Sequence, residues 1–444
     1  MLFSNLLSNK LSQKFISVCN YMFQLRFFLN RLNESFVCWS KLKLKSLVSL
    51  VLLGAPVFIQ AAIPIGPEFQ VNSSISMHQK EGVVSSLKNG GYIIVWVGMP
   101  HGGNDHDIFA QRYKADGTKE GLEFLVNSDT ADEQWSPSVT SLSNGGFIIT
   151  WSKYRRSTDE SDVFAQRYKS DGTADGNEFQ VNTSTEGYQG SASVISLNNG
   201  DLIITWYSHT ENNDSLFAQR YKADGLAYGT EFQISSATGG SQGIPTAIGL
   251  NNGGFALAWS ENNSIYTQRY QTDGSLDGSV FKVASANAQW LPRAPVISSL
   301  NNGGVVIAWL MDKEDWSESK VFAQSFKANG SVNGDAFLVN TRSLSSPMAC
   351  VISTLNNGNF VISWSSYFEV SDTFGVSAKS YNENGSIIDE EFNVNSTVGL
   401  HMFPAISTLD NGEFMVIWQT LDALSSISVR RFVPAQASVT VSLP

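Results

Sequence analysis

The stretch 138–151, with the sequence SVTSLSNGGFIITW, carries the hydrophobic pattern that organises the rest of the chain. In its first part small and apolar residues alternate, which is typical of a half-buried strand. Its last part, FIITW, is a continuous apolar run rich in β-branched and aromatic residues, as expected of a strand buried on both faces. The Asn144-Gly145 pair between them predicts a type I′ hairpin turn with positive φ at both residues.

This stretch recurs six more times at intervals of 50 to 55 residues, and each copy ends in a tryptophan. The seven tryptophans are Trp96, Trp151, Trp206, Trp259, Trp309, Trp364 and Trp418. Glycine at every turn would interrupt a helix, so the pattern excludes helical repeats. A fixed period of this length indicates an array of small structural units.

Two further strands complete each unit. One is of the VFAQRY type and occurs at 108–113, 163–168, 216–221, 265–270, 321–326, 376–381 and 427–432. The other is of the EFQVN type and is centred on Phe69, Phe124, Phe179, Phe232, Phe281, Phe337 and Phe392. We therefore predict an all-β fold, a seven-bladed β-propeller of four-stranded antiparallel blades, over residues 63–436.

The connections predict the strand order inside each blade. Three of them are hairpin-like, whereas the link from EFQVN to the next SVTSL is about ten residues long and has no tight-turn signal. We expect SVTSL to be innermost, followed by FIITW, VFAQRY and, outermost, EFQVN. The first outer strand, 68–72, then pairs with the last blade and closes the ring, which removes an exposed sheet edge. The tail 437–444 also alternates, over 438–443, and is an alternative partner for that edge.

Residues 1–62 match no repeat and read as an N-terminal extension with a secretory signal peptide. Lys41, Lys43 and Lys45 precede an apolar run of about a dozen residues, and small residues follow at Ala61 and Ala62. The run is short for a membrane span, which needs about 20 residues. Translation from a later start such as Met22, an extended basic region and a retained anchor remain alternatives. We expect an exported protein of the periplasm, cell surface or extracellular space, with no membrane insertion after cleavage.

Export changes the charge and the cysteine content. Residues 62–444 contain 22 basic and 39 acidic residues, a net charge of −17. This excess of acid argues against nucleic acid or an anionic membrane surface as a partner, because phosphate binding needs clustered Lys and Arg. Cys19 and Cys38 lie in the leader, so Cys350 has no intrachain disulfide partner and reads as a small core residue.

The repeats are built on three motifs in a fixed order: P-x-V-x-x-L-x-N-G-G-F-x-x-x-W, then FAQRY-x-x-DG, then G-x-EFQVN. This order resembles repeats of large secreted bacterial proteins of the hemolysin-type calcium-binding and adhesin kind. The resemblance covers residues 66–432. It implies a propeller-like extracellular domain with a role in surface binding, and it implies no catalytic residues. The chain has no glycine-aspartate nonapeptides of the type that bind calcium, so calcium binding is not carried over.

The interblade links and the variable loops after each tryptophan share one face, which we call the link face. Variable loops on a rigid scaffold commonly carry function. One register in the links holds Gln79, Gln134, Gln189, Gln242, Pro292, Pro347 and His401, with Trp135, Tyr188, Trp290 and Phe403 nearby. Amides that bond hydroxyls and rings that stack on a sugar would suit a glycan. The alternative is that each glutamine ties its own link to the backbone and that the tryptophans pack under the loops.

Metal and catalytic signals are weak. His101, Asp105, His106 and Asp107 are metal ligands by type, but they occur in one repeat and their spacing fits no tight motif, so a solvated loop is favoured. No nucleophile elbow, HExxH or phosphate loop is present. We therefore predict no metal, no cofactor and no specific catalytic residue.

We predict the first of three functions, binding without catalysis, and keep the other two as alternatives. The first is a binding module that recognises a glycan or a protein through Gln79, Gln134, Trp135, Tyr188, Gln189, Gln242, Trp290 and His401. The second is a carbohydrate-active enzyme, a glycoside hydrolase or lyase with carboxylates at the channel mouth. The third is a structural or assembly protein of the surface.

Overall fold

The protein is described by a computed structural model over residues 62–73, 77–100, 105–211, 213–237, 243–342, 345–368, 373–421 and 425–435. The signal-peptide expectation for 1–61 and the tail 437–444 lie outside these residues. Within them the chain forms 28 strands and no helix, so the all-β expectation is confirmed.

The strands are grouped by the repeat in which they fall. Set 1 comprises β2 (Met77–Ser86), β3 (Tyr92–Pro100), β4 (Asp107–Tyr113) and β5 (Lys119–Leu125); set 2 comprises β6 (Glu133–Ser141), β7 (Phe147–Arg155), β8 (Glu160–Tyr168) and β9 (Phe179–Gln180); set 3 comprises β10 (Tyr188–Ser196), β11 (Leu202–His209), β12 (Asp214–Tyr221) and β13 (Phe232–Ala237); set 4 comprises β14 (Thr246–Gly249), β15 (Phe255–Glu261), β16 (Ser264–Tyr270) and β17 (Phe281–Ser285).

Set 5 comprises β18 (Trp290–Ser299), β19 (Val305–Lys313), β20 (Ser319–Phe326) and β21 (Val332–Leu338); set 6 comprises β22 (Ser345–Thr354), β23 (Phe360–Phe368), β24 (Thr373–Tyr381) and β25 (Ile387–Asn393); set 7 comprises β26 (His401–Thr408), β27 (Phe414–Thr420), β28 (Ser426–Val433) and, from the start of the chain, β1 (Ile63–Gln70).

Each set is an antiparallel sheet whose strands follow the order expected from the connections. Hydrogen bonding gives six sheets among the described residues, because sets 2 and 3 are joined into one eight-stranded sheet. The junction is a single parallel bridge between Tyr188 and Ser161. The innermost strands β2, β6, β10, β14, β18, β22 and β26 contact one another in a closed cycle, in which β26 also contacts β2. This is the β-propeller arrangement.

The turn between the two inner strands differs from the sequence prediction. Of Asn144 and Gly145 only the glycine has positive φ, at 87°. Leu142 and Gly146 bond across a three-residue loop, with a hydrogen bond of 2.8 Å from the Leu142 amide to the Gly146 carbonyl. The expected type I′ turn is therefore wrong, and a turn ending in one left-handed glycine takes its place. The Asn144 side chain accepts the Gly146 amide at 3.0 Å instead of adopting positive φ.

The second strand of each set is buried on both faces, as its apolar run predicted. In set 2, Phe147, Ile149 and Trp151 pack against set 1, whereas Ile148 packs against set 3. The seven repeat tryptophans are 0 to 3% exposed. Trp151 stacks on Phe164 of the next strand, with ring centroids 6.4 Å apart. The hydrophobic cores therefore lie between neighbouring sets rather than within them.

The ring is closed by the first strand, as expected from the repeat boundaries. β1 pairs antiparallel with β28, and Val71, just after β1, donates its amide to the Ile427 carbonyl at 2.8 Å. Val71 lies in the core shared by sets 1 and 7. On the outer rim Glu68 accepts the Ser396 amide at 2.9 Å, the same contact that Glu123 makes with Ser73 inside the repeats.

On the face opposite the links, the arginine at the QRY position joins some sets to the next, whereas sets 5 and 6 have Ser325 and Ser380 there. Arg112 donates to the Ser170 carbonyl at 2.9 Å, Arg167 to the Ala223 carbonyl at 3.0 Å, and Arg431 to the Ala115 carbonyl at 2.8 Å. Cys350 is buried in the inner strand β22. The burial of Cys350 agrees with the core role expected from the sequence.

We expect Val71→Ala to lower the free energy of unfolding by about 1–3 kcal/mol, because it removes two methyl groups from the fully buried closure between sets 1 and 7. Leu122→Ala is the control, since Leu122 is 89% exposed on the outer strand of set 1; its effect should stay within about 0.5 kcal/mol. Urea unfolding followed by tryptophan fluorescence measures both. Equal effects of the two variants would contradict closure through β1.

Candidate functional site

The inner strands share a bulge at their link-face end. In five of them the bulge holds a residue with left-handed backbone, namely Glu81, Ser136, Ser191, Ala294 and Phe403, with φ between 48° and 53°. Each follows the register of Gln79, Gln134, Gln189, Pro292 and His401 by two residues. Left-handed conformation is costly for residues other than glycine and is concentrated at functional sites. Set 1 alone of these five places a carboxylic acid there.

Glu81 connects adjacent inner strands. Its Oε2 accepts the backbone amide of Ser136 on β6 at 2.8 Å. Burial raises the pKa of the Glu81 carboxyl above its usual value, although the Ser136 amide and the ammonium of Lys80 act in the opposite direction. A rise in the pKa of a carboxyl is the direction of shift that a general acid requires.

Tyr188, at the start of the third inner strand, lies beside this carboxyl. The charge of Glu81 and, above all, burial raise the pKa of the Tyr188 phenol, which also bonds to the hydroxyls of Ser191 and Ser152. The ring folds over Gly190, where an added Cβ would lie 2.5 Å from the phenol oxygen. Glycine at position 190 is therefore required for the position of Tyr188.

Trp135 is half-buried and is surrounded by polar groups. Lys80 Nζ lies 3.7 Å from the ring centroid, and the His106 ring lies 3.9 Å from it, centroid to centroid. The indole N–H donates to Glu133 Oε2 at 2.8 Å. Contacts of this kind hold the indole in place and occupy much of its surface. Among the described residues no carboxylate lies within 4 Å of Lys80 Nζ, which leaves this ammonium without an ion pair.

His106 is 7% exposed beneath Trp135. Burial, reinforced by the charge of Lys80, lowers the pKa of the imidazole to about 4. The ring is therefore neutral at physiological pH. Its Nδ1 lies 3.7 Å from Glu133 Oε2, beyond hydrogen-bonding distance.

The remaining charges around the cluster are paired. Arg156 bonds Glu133 Oε1 at 2.7 Å and Asp105 at 2.6 Å. Lys153 bonds Asp129 at 2.5 Å. We define the central cluster as Lys80, Glu81, His106, Glu133, Trp135, Arg156 and Tyr188. It combines a carboxyl with a raised pKa, a phenol, the Lys80 ammonium over the Trp135 ring and a carboxylate held by arginine.

The glutamines that the sequence placed in the binding site are 0 to 1% exposed. Gln134 Nε2 donates to the Asp129 carbonyl at 3.1 Å, and Gln189 Nε2 donates to the Glu186 carbonyl at 2.9 Å, both in their own links. The backbone amide of Gln79 donates to the Ser425 carbonyl at 3.0 Å. Gln242 lies outside the described residues. These contacts agree with the alternative that the glutamines hold the links in place. Their role in ligand binding stays a prediction.

Trp290 and His401 lie on other sets. Trp290 is half-buried, and Lys320 Nζ is 4.4 Å from its ring centroid. His401 is 2% exposed, and its ring is 3.1 Å from the Thr420 hydroxyl and perpendicular to Trp418. The structure thus joins Trp135 and Tyr188 in one cluster and leaves the other predicted residues separate from it.

Sequence reasoning missed Lys80, Glu81 and Glu133. A signal was present, because Glu81 occupies the position that holds serine in the next two repeats, at Ser136 and Ser191. An acid that interrupts a small-residue register in a single repeat is a candidate for function rather than for scaffold.

The segment weighed as a metal site is divided among separate partners. Asp105 bonds Arg156 at 2.6 Å, and Asp107 accepts the Asn127 amide at 2.7 Å. His101 lies outside the described residues. Within the described ranges no group of three or more His, Cys, Asp or Glu side chains is placed to hold a metal ion. The same ranges contain no helix long and apolar enough to cross a membrane.

Neither a protein-family model nor a curated protein matches this sequence. Among solved structures, the fold is similar to that of a protein of unknown function from Dyadobacter fermentans, with a TM-score of 0.54 and 10% identity over 84% of this chain and 100% of that one. Weaker similarity is found to the α-L-arabinofuranosidase Arb93A of Fusarium graminearum (TM-score 0.47, 13% identity, 67% of this chain and 92% of that one). The NanB sialidase of Streptococcus pneumoniae gives a TM-score of 0.48 at 10% identity, over 83% of this chain and 70% of that one. Identities this low concern the fold alone.

We expect the free energy of unfolding to decrease as pH falls from about 6.5 to about 4, in part because of His106. The unfolded chain takes up a proton near the usual pKa of 6.5, whereas the native imidazole resists protonation down to about 4. His106→Gln should therefore lose less stability than the wild type between pH 7 and pH 4.5. Urea titrations at both pH values measure the difference. An equal loss in the two proteins would show that His106 titrates normally.

We expect Gly190→Ala to destabilise the protein by about 1–3 kcal/mol, because the new methyl group overlaps the Tyr188 ring. In a Tyr188→Ala background the same change should cost much less, because the overlapping ring is gone. A double-mutant cycle of unfolding free energies measures this coupling. Additive effects of the two substitutions would contradict the contact.

Proposed function

We propose that the protein is a carbohydrate-active enzyme, exported as a seven-bladed propeller, that cleaves a glycan at the central cluster with Glu81 as the general acid. The seven blades are supported by the seven four-stranded sets and by the closed cycle of seven inner strands. Export is supported by the basic and apolar pattern of residues 1–62 and by the resemblance of 66–432 to repeats of secreted bacterial proteins.

The observation that carries the enzymatic proposal is Glu81. Its backbone is left-handed, its carboxylate accepts the Ser136 amide of the neighbouring inner strand, and burial raises the pKa of the carboxyl. A binding site for neutral sugars does not need such a group. Cleavage of a glycosidic bond does, because the departing oxygen must receive a proton as the C–O bond breaks.

The rest of the cluster has roles consistent with this chemistry. Glu133, held by Arg156 and by the Trp135 indole, is the second carboxylate of the central cluster. Tyr188 lies beside Glu81 with its phenol buried. Lys80 places its ammonium over Trp135, where it can bind a hydroxyl or an anionic group of the substrate.

Binding without cleavage is the second candidate. It is favoured by the half-buried Trp290, which lies on the link face between Lys313 and Lys320 with ring-to-ammonium distances of 5.7 and 4.4 Å. Against it, the surface of Trp135 is largely taken by His106 and Lys80, and the predicted glutamines bond to their own links. A purely structural surface role explains the left-handed bulge, which recurs in other sets, but leaves the raised pKa of the Glu81 carboxyl without a use.

We expect the full-length protein to release oligosaccharides from at least one member of a panel of neutral and acidic polysaccharides. Glu81→Gln should reduce the rate at least about 100-fold and preserve binding, because the amide keeps the shape but cannot donate the proton. Chromatography of released products measures turnover, and affinity electrophoresis measures binding.

Glu178→Gln is the matched control, since Glu178 only accepts the Ser128 amide on the outer rim. It should leave turnover unchanged. If the wild type binds a polysaccharide but does not cleave it, the protein is a lectin and the enzymatic proposal is wrong. If it neither binds nor cleaves any member of the panel, the structural role is favoured.

A further inference from the structure

The face opposite the links carries a second candidate site, located between sets 3 and 4. An open cleft of about 590 Å³ lies there and is lined by Asp201, Arg220, Lys222, Asp224, Tyr228 and Asp273, among others. It is formed by the turns that follow the QRY strands and is separate from the central cluster. The repeats make it possible to ask which of these residues the scaffold itself requires.

The scaffold requires a carboxylate for the arginine of each QRY sequence. In three sets this acid follows the DG turn by three residues: Arg112 pairs with Glu120 at 2.6 Å, Arg167 with Asp175 at 3.7 Å and Arg269 with Asp277 at 3.2 Å. Position 228 is the equivalent of these acids in set 3, and it holds tyrosine. The repeated ion pair is therefore missing at this position.

Set 3 restores the ion pair from another strand. Asp201 lies where four other repeats have the second glycine of the NGG turn, and its Oδ2 is 3.3 Å from Arg220 Nη2. Set 7 uses the same solution, in which Glu413 pairs with Arg431. Since Asp201 supplies a carboxylate to Arg220, the ion pair of this arginine does not depend on position 228.

Tyr228 is nevertheless a large aromatic residue and is 45% exposed. The Arg220 guanidinium lies 4.5 Å from its ring centroid and fixes the ring, and Lys222 Nζ lies 5.5 Å from it. The acids Asp224 and Asp273 flank the cleft on neighbouring turns. An exposed ring held from behind, with an ammonium donor and carboxylate acceptors around it, matches the alternation of apolar face and hydroxyls in a sugar.

We propose that this cleft is a second glycan-binding site, in which Tyr228 stacks on a sugar ring while Lys222 and Asp224 bond its hydroxyls. A site on the opposite face would hold a polymeric substrate to the protein without taking part in cleavage. The proposal does not depend on the chemistry of the central cluster.

The repeats supply the test. Tyr228→Asp restores the acid present in sets 2 and 4 and so is expected to fold with an unchanged melting temperature. Asp224→Asn keeps the turn, because Asn329 and Asn384 occupy the same position in sets 5 and 6. Asn333→Asp introduces an acid at the position equivalent to 228 in set 5 and is the matched control.

The variants are made in full-length Glu81→Gln protein and titrated calorimetrically with xylan, laminarin, alginate and pectin oligosaccharides. We expect Tyr228→Asp to weaken binding of at least one of them tenfold or more, or to remove one site from the stoichiometry. Asp224→Asn should weaken it to a lesser degree, and Asn333→Asp should have no effect. In the active protein, Tyr228→Asp should not change turnover of short oligosaccharides, which separates this site from the central one.

Equal affinity and stoichiometry in Tyr228→Asp and its parent would overturn the proposal, as would an absence of binding to every probe. If Tyr228→Asp retains binding but has a lower melting temperature, the role of Tyr228 is structural and consists of covering Arg220. If Tyr228→Asp fails to fold, Asp224→Asn tests the proposal instead. Undiminished binding by Asp224→Asn would then contradict the site.

Discussion

Burial of the second strand of each set between its two neighbours is the constraint on which the structure depends. Phe147 and Trp151 face one neighbouring set and Ile148 faces the other, so no set can bury its own apolar surface alone. A linear array would leave one such surface exposed at each end. Ring closure removes both ends, and this is why β1, at the start of the chain, pairs with β28 near its end.

The two faces of the ring differ in the connections that form them. One face consists of short turns tied together by arginine contacts such as that of Arg112 with the Ser170 carbonyl. The other consists of links that bulge as they enter the inner strands. The bulge is a scaffold feature because it recurs, but its residue is free to vary, and in set 1 it is Glu81. A strained position that the fold already maintains in several sets can hold a functional side chain at little additional cost.

Differences between repeats are therefore more informative than the repeats themselves. Glu81, where two other repeats have serine, and Tyr228, where three other repeats have an acid, are both departures that the scaffold does not require. The recurrent glutamines, by contrast, are buried and bonded to their own links. The residues that recur regularly therefore serve packing, whereas the residues that deviate in one repeat are the candidates for function.

The sequence by itself determined the all-β class, the four-strand unit, the strand order and the closure by the first strand, because each of these follows from local periodicity, turn residues and loop lengths. It misjudged the turn at Asn144, where a side-chain hydrogen bond to Gly146 decided the backbone. It could not assemble the central cluster, since Lys80, Trp135 and Tyr188 come from three sets and meet only when neighbouring inner strands converge. The pKa of Glu81 and the neutrality of His106 were likewise decided by tertiary structure, because burial and neighbouring charge exist only once the ring has closed.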